Sequence, residues 1–190
     1  MKIYKSIALI LFFVTFCACG RTKYLSINNT VDKSKFELKP YDFSNASLIY
    51  SIDSSGLDKV LKNNHDKLLI VFFTFWCPNS NSFIKTIVNE SNQNNITTIL
   101  ISPDDWVYKY EYLAFQQKTN INNPILLLDV NEYSKGSIHR KMDKFVNSFC
   151  DDCKDVGGFP SYVLFDKNNS IIYKGLITKD NIKHFIDILK

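Results

Sequence analysis

Between Leu68 and Phe75 the chain is apolar at every position but Thr74, and it then turns through Trp76-Cys77-Pro78. A short run rich in β-branched and aromatic side chains suits a strand covered on both faces. Such a strand needs sheet neighbours on either side and helices above and below it. The following residues supply both. Asn79 to Glu90 carries Phe83, Ile84, Ile87 and Val88 at helical spacing, and Ile96 to Ile101 is a second buried strand. Asp104-Asp105 places acid at a helix start, where the macrodipole favours it, and Trp106, Tyr110, Leu113 and Ala114 follow at helical intervals. Pro124 opens a third strand, Ile125 to Leu128. Ser137 to Phe149 is helical, with Ile138, Met142, Phe145, Val146 and Phe149 on one face. Two strands, Ser161 to Phe165 and Ser170 to Tyr173, flank Asp166-Lys167-Asn168-Asn169, a hairpin turn by composition. Thr178 or Asp180 caps a last helix with Ile182, Phe185, Ile186 and Leu189 as its apolar stripe. Upstream, Ser54 or Ser55 caps a helix that buries Leu57, Val60 and Leu61, and Phe36 to Phe43 is a candidate edge strand. The order predicts an α/β fold, a central mixed β-sheet flanked by helices.

The first residues read as an address. A basic start with Lys2 and Lys5 precedes an apolar run from Ile7 to Phe16, too short for a span of about 20 residues. With Ala18 before Cys19 and Gly20 after it, the segment has the parts of a secretory signal. It resembles a bacterial lipobox, which implies a signal peptide over 1–18 and a lipidated Cys19. Residues 19–46 are polar and aperiodic and read as a tether, leaving 47–190 as one domain. The formal charge of +4 falls to +2 once Lys2 and Lys5 are removed, and no basic stripe carries interleaved aromatics. Nucleic-acid binding is therefore not expected. Export places the protein in the cell envelope, facing the periplasm, where disulfides persist. Of five cysteines, Cys77, Cys150 and Cys153 then remain as envelope thiols.

Cys77 sits where a buried strand hands over to a helix. The first helical N–H groups lack intrahelical partners, and the dipole adds partial positive charge there. Both favour thiolate over thiol, so Cys77 is expected to be the most reactive thiol. Pro78 suits the first turn, where its missing N–H is no loss.

Phe72-Phe73-Thr74-Phe75-Trp76-Cys77-Pro78-Asn79-Ser80 resembles the active-site strand and turn of the thioredoxin superfamily. Gly157-Gly158-Phe159-Pro160-Ser161 resembles that family's Gly-x-x-Pro segment. The extra helix and strand between Pro103 and Asp129 resemble the membrane-anchored TlpA/ResA type and, more distantly, peroxiredoxins. The resemblance implies a thioredoxin-like fold, a cis Pro160 facing Cys77, Cys77 as nucleophile and Trp76 as its flanking wall. It also implies a substrate groove lined by Trp76, Pro78, Phe159 and Pro160, with strand-like hydrogen bonds offered at Phe159. The chain departs from the family pattern twice. Ser80 stands where the second cysteine would fall, making a monothiol Cys-x-x-Ser variant in which Ser80 can still hydrogen-bond a thiolate. Val71 stands where many relatives bury an acid.

Cys150 and Cys153 fit three roles: a structural disulfide ending the preceding helix, a resolving pair for a mixed disulfide on Cys77, or half of a metal site. Tetrahedral zinc wants more than two ligands; His139 is the nearest imidazole, and His65 and His184 are scattered. Neither a metal nor a cofactor is expected. The favoured function is an envelope thiol–disulfide oxidoreductase acting on protein or small-molecule thiols and disulfides. Its mixed disulfide would be released by an external thiol or by Cys150 and Cys153. The alternatives are a catalytically idle thioredoxin-fold binding module and, on Thr74-Phe75-Trp76-Cys77, a peroxiredoxin-like peroxidase.

Overall fold

A computed structural model describes residues 49–190. The expected signal segment, lipidated Cys19, the tether and the candidate strand at Phe36 to Phe43 lie outside the described residues. The elements in chain order are β1 (Ile49–Ile52), α1 (Ser54–Asn63), β2 (Leu68–Phe72), α2 (Pro78–Gln93) and β3 (Thr97–Ser102). They continue with α3 (Lys109–Thr119), β4 (Ile125–Leu128), α4 (Ile138–Val146), β5 (Ser161–Phe165), β6 (Ile171–Leu176) and α5 (Ile182–Leu189). Short 3-10 turns at Trp106–Tyr108 and Lys154–Val156 precede α3 and β5.

The six strands form one mixed sheet in the order β1-β4-β3-β2-β5-β6. The first four in that order pair in parallel, while β5 runs antiparallel to both β2 and β6. The all-apolar β2 lies between β3 and β5, and all five of its residues are buried. Side-chain alternation sends Ile70 and Phe72 to one face, where they meet Leu57 and Val60 of α1 and Met142 and Phe145 of α4. Leu69, Val71 and Phe73 go to the other face, against Ile84, Ile87 and Val88 of α2, Tyr112 and Phe115 of α3, and Phe185 of α5. Two covered faces explain why the strand shows no apolar–polar alternation.

Several local expectations shift. Strand β1, short and half buried, is not expected from the pattern; it is recognised by its parallel pairing with β4, Ile49 opposite Ile125 through Ile52 opposite Leu128. The cap of α1 is Asp53, whose carboxylate accepts the Gly56 N–H at 2.7 Å, not Ser54 or Ser55. The apolar stripe of α3 is Tyr112 and Phe115, whereas Tyr110 is exposed. The 3-10 turn before α3 winds more tightly than an α-helix, so a phase counted from Trp106 lands on the wrong face. Helix α4 ends at Val146, and the chain turns through to Cys150, whose N–H still reaches the Val146 carbonyl. Ahead of α5, Asn181 is the cap position, and its side chain accepts the Thr178 N–H at 2.8 Å. The hairpin turn is as the composition predicts: Asp166 Oδ1 accepts from Asn168 and Ser170 N–H, and Asn169 takes the left-handed φ of 61°.

Asp53→Ala tests the capping assignment. It should lower the unfolding free energy by about 1 kcal/mol, read from urea melts, whereas Ser55→Ala should cost little.

Candidate active site

Helix α2 starts at Pro78 in its first position, with Cys77 as the N-cap residue, so the sulfur leaves the chain where β2 ends and α2 opens. The Cys77 carbonyl accepts the Asn81 N–H at 3.0 Å, and the Cys77 N–H reaches the Thr74 carbonyl at 3.3 Å. The connection between strand and helix is thus a closed, hydrogen-bonded turn. Opposite it, the Phe159–Pro160 peptide bond is cis. The Cys77 thiol donates to the Phe159 carbonyl at 3.3 Å. Residues 82 positions apart are joined here because β5, which follows Pro160 directly, pairs with β2, with Phe72 opposite Ser161.

Trp76 stands beside the thiol, and its ring meets Phe159 edge-on with centroids 6.3 Å apart. Phe159 in turn stacks on His139 at 5.7 Å, and His139 Nδ1 is 3.2 Å from the Gly157 carbonyl. Under this cover Cys77 is only 2 % exposed. A thiol expected to be the most reactive in the chain is therefore enclosed at rest. Pro78 is exposed on the outer side.

Ser80 is fully buried one helical turn after Cys77, and its hydroxyl accepts the Thr74 backbone N–H at 3.5 Å. The Ser80 hydroxyl is thus engaged with the turn, while the thiol's partner is the Phe159 carbonyl. Cys150 and Cys153 are bonded to each other and Cys77 is the free thiol among the described residues. Both bonded cysteines are buried in the face that holds Phe72 and Phe145.

A group that the pattern placed elsewhere also joins the site. Asp104, read from sequence as a helix-start acid, is 1 % exposed and turned inward. Trp76 Nε1 donates to its two carboxylate oxygens at 3.2 and 3.1 Å, and the Tyr112 hydroxyl donates to Oδ2 as well. Ser102 Oγ bonds the Tyr112 hydroxyl and accepts the Asp104 N–H. Burial, then the neighbouring Asp104 charge, push the Tyr112 phenol well above its ordinary value, so Tyr112 remains a donor at neutral pH. Val71 leaves no acid on β2, but a carboxylate reaches the rim of the site from the end of β3 instead. The signal in the sequence was Asp104 followed eight residues later by Tyr112, which lies on the same side of the turn only once the 3-10 segment is counted. The adjacent Asp105 pairs with the buried Lys141 of α4.

No family model matches the chain, and no curated protein matches it. Solved structures do resemble it. One is the thioredoxin domain of a thiol-disulfide oxidoreductase from Bacteroides vulgatus, at 15 % identity and a TM-score of 0.46 over 67 % of this chain and 81 % of that one. A thiol:disulfide interchange protein from Chlorobium tepidum gives 16 % identity and 0.46 over 70 % and 85 %. A secreted disulfide oxidoreductase from Mycobacterium tuberculosis gives 15 % and 0.44 over 76 % and 98 %. With its β1-β4-β3-β2-β5-β6 sheet, a helix opening at Cys77 and a cis-proline segment closing over that residue, the chain has a thioredoxin-like fold.

Proposed function

We propose that this protein exchanges thiols and disulfides in the cell envelope through one sulfur, that of Cys77, while held to a membrane by a lipid on Cys19. The observation that carries the reading is the Cys77 thiol at the opening of α2, 3.3 Å from the carbonyl that precedes cis Pro160. The similar structures named above bear oxidoreductase and interchange descriptions, in line with thiols or disulfides as substrates.

The chemistry balances without a second cysteine in the motif. Cys77, as thiolate, attacks one sulfur of a substrate disulfide; that S–S bond breaks, a Cys77–substrate disulfide forms, and the other substrate sulfur leaves as thiolate. An external thiolate then attacks the substrate sulfur; the Cys77–substrate bond breaks, a disulfide between substrate and external thiol forms, and Cys77 leaves as thiolate. The groove edge at Phe159 offers its backbone to an extended chain. Cys150 and Cys153 are spent on each other in the bonded state and supply no attacking thiol in it.

The test uses full-length protein purified from membranes in detergent and treated with glutathione disulfide. Intact mass should show one glutathione adduct mapped to Cys77 and removed by added glutathione. Cys77→Ser should lose at least about 95 % of the adduct, since Cys77 is the free thiol among the described residues. Adduct formation equal in the variant, or none in the parent, rejects the reading. For the anchor, Cys19→Ser should abolish incorporation of labelled fatty acid and move the protein from the detergent phase to the aqueous phase.

The enclosure of Cys77 favours a second reading, a binding module in which the thiol is idle. That reading requires partner capture to survive Cys77→Ser, and the exchange reading requires covalent capture to disappear.

A further inference from the structure

Cys77 is covered by a segment that is itself tied down a few residues upstream. Five residues separate Cys153 from Phe159. Cys153 caps the 3-10 turn Lys154–Val156, and its carbonyl accepts the Val156 N–H at 3.1 Å. Val156 is buried in the same apolar face as Cys150 and Cys153, and Phe159 packs on that face. The Val156 carbonyl accepts the Ser161 hydroxyl at 3.2 Å, just beyond the cis proline. The other polar ties on the upstream half of the segment are exposed. Lys174 meets the Asp152 carbonyl and carboxylate, but that carboxylate is 93 % exposed and its pairing is screened by water. The His139 bond to Gly157 is exposed as well. A one-turn 3-10 segment has little stability of its own. The downstream end of the loop is fixed by β5, where the Ile177 N–H reaches the Pro160 carbonyl at 2.8 Å and Ser161 pairs with Phe72; at its upstream end the covalent tie is the bond that joins Cys153 to Cys150 behind α4.

We propose that the Cys150–Cys153 disulfide is a redox-sensitive latch that holds the Phe159 segment over Cys77, and that a dithiol reductant opens it. The latch regulates the same site and rests on the exchange reading for its biological use, though not for its mechanics. In the opening step a thiolate of the reductant attacks one sulfur of the bond and forms a mixed disulfide. Its second thiol then displaces that sulfur. Two electrons and two protons end on Cys150 and Cys153, and the reductant leaves as its own disulfide. Reduction releases Cys153 from the end of α4, so the upstream end of the loop opens more often while the sheet stays intact. The latch also accounts for a free thiol that is buried at rest, because reactivity is withheld until reducing equivalents arrive.

The experiment measures alkylation of Cys77 by iodoacetamide in the full-length protein, read as the Cys77 peptide by mass spectrometry. Three forms are compared: the disulfide-bonded protein, the same protein reduced with a phosphine that is then removed, and Cys150→Ala/Cys153→Ala. Cys77 should label roughly tenfold faster or more in the second and third forms, a factor equivalent to about 1.4 kcal/mol. Equal rates in all three overturn the latch. Reduced parent protein keeps the comparison informative where the double variant fails to fold. Hydrogen exchange supplies the second readout. Amides of 147–160 should lose protection on reduction while those of β2 and β3 keep theirs; loss across the whole sheet also overturns a local latch. Fast alkylation of the opened form without any exchange with glutathione disulfide supports the latch and rejects the exchange reading, so the two fail separately.

Discussion

Asp104→Ala should lower the free energy of unfolding by about 3 kcal/mol, because it removes the buried carboxylate that two donors share. Trp76 Nε1 can only donate, and Tyr112 is held as a donor by burial and by the Asp104 charge. Removing the carboxylate takes from the indole N–H its two oxygens and leaves the phenol with Ser102 Oγ. Asn is not a repair, since its amide nitrogen must point at one of the two donors. Equilibrium urea melts of the parent, Asp104→Ala and Asp104→Asn check the expectation. A loss below about 1 kcal/mol in the alanine variant would mean that the two donors find other partners, and the site's architecture would need another account. The second readout concerns the wall beside Cys77. Freed from Asp104, Trp76 should hold its edge-on contact with Phe159 less well, and Cys77 alkylation should rise. In a Trp76→Phe background, which has no N–H to lose, that increase should vanish.

Alkali should be the condition that most sharply exposes this network. Tyr112 has its phenol raised above the ordinary value of 10.0, by burial first and by Asp104 second. Tyr133 and Tyr162 are raised too, each mainly by burial. When the folded pKa lies above the unfolded one, the unfolded chain releases its proton first. Stability is therefore complete below the unfolded pKa and declines as pH rises from there towards the folded pKa. Each such phenol costs up to about 1.4 kcal/mol per pH unit in that window. Urea midpoints should stay level to about pH 9 and fall steeply by about pH 11. Tyr112→Phe, less stable at neutral pH through the lost hydroxyl, should lose visibly less over the same interval. An identical alkaline loss in parent and variant would remove Tyr112 from the cause.

The parts of this fold that could be read in the sequence are those set by continuous or periodic apolar patterns. Strand β2 shows itself because both its faces are covered, and β4 was placed residue for residue by Pro124 ahead of it. The β5–β6 turn shows itself through Asp166 and Asn169, whose side chains and left-handed tolerance are specific to turns. Strand β1 did not, because four residues with Ser51 among them carry no distinctive period and become a strand only through their pairing with β4. The face of α3 was misassigned because a tight turn precedes it and advances the helical phase. At the site, the juxtaposition of Cys77 with Phe159–Pro160 was legible from two local motifs. Asp104 was not, because a carboxylate near a helix start reads as a surface cap unless tertiary structure buries it. Nor was the enclosure of the thiol, which depends on how the Phe159 loop closes and not on either motif alone.

The buried hydroxyl of Ser80 has one more effect. If Cys77 exchanges with disulfides as proposed, Ser80 leaves α2 without a second sulfur to turn a captured molecule back off. With Cys150 and Cys153 occupied by each other, the stay of a guest on Cys77 would on that reading be set by whatever small thiol the surroundings supply. The clock for release then lies outside the protein, and the same chain would hold its catch for longer in an oxidising compartment than in a reducing one.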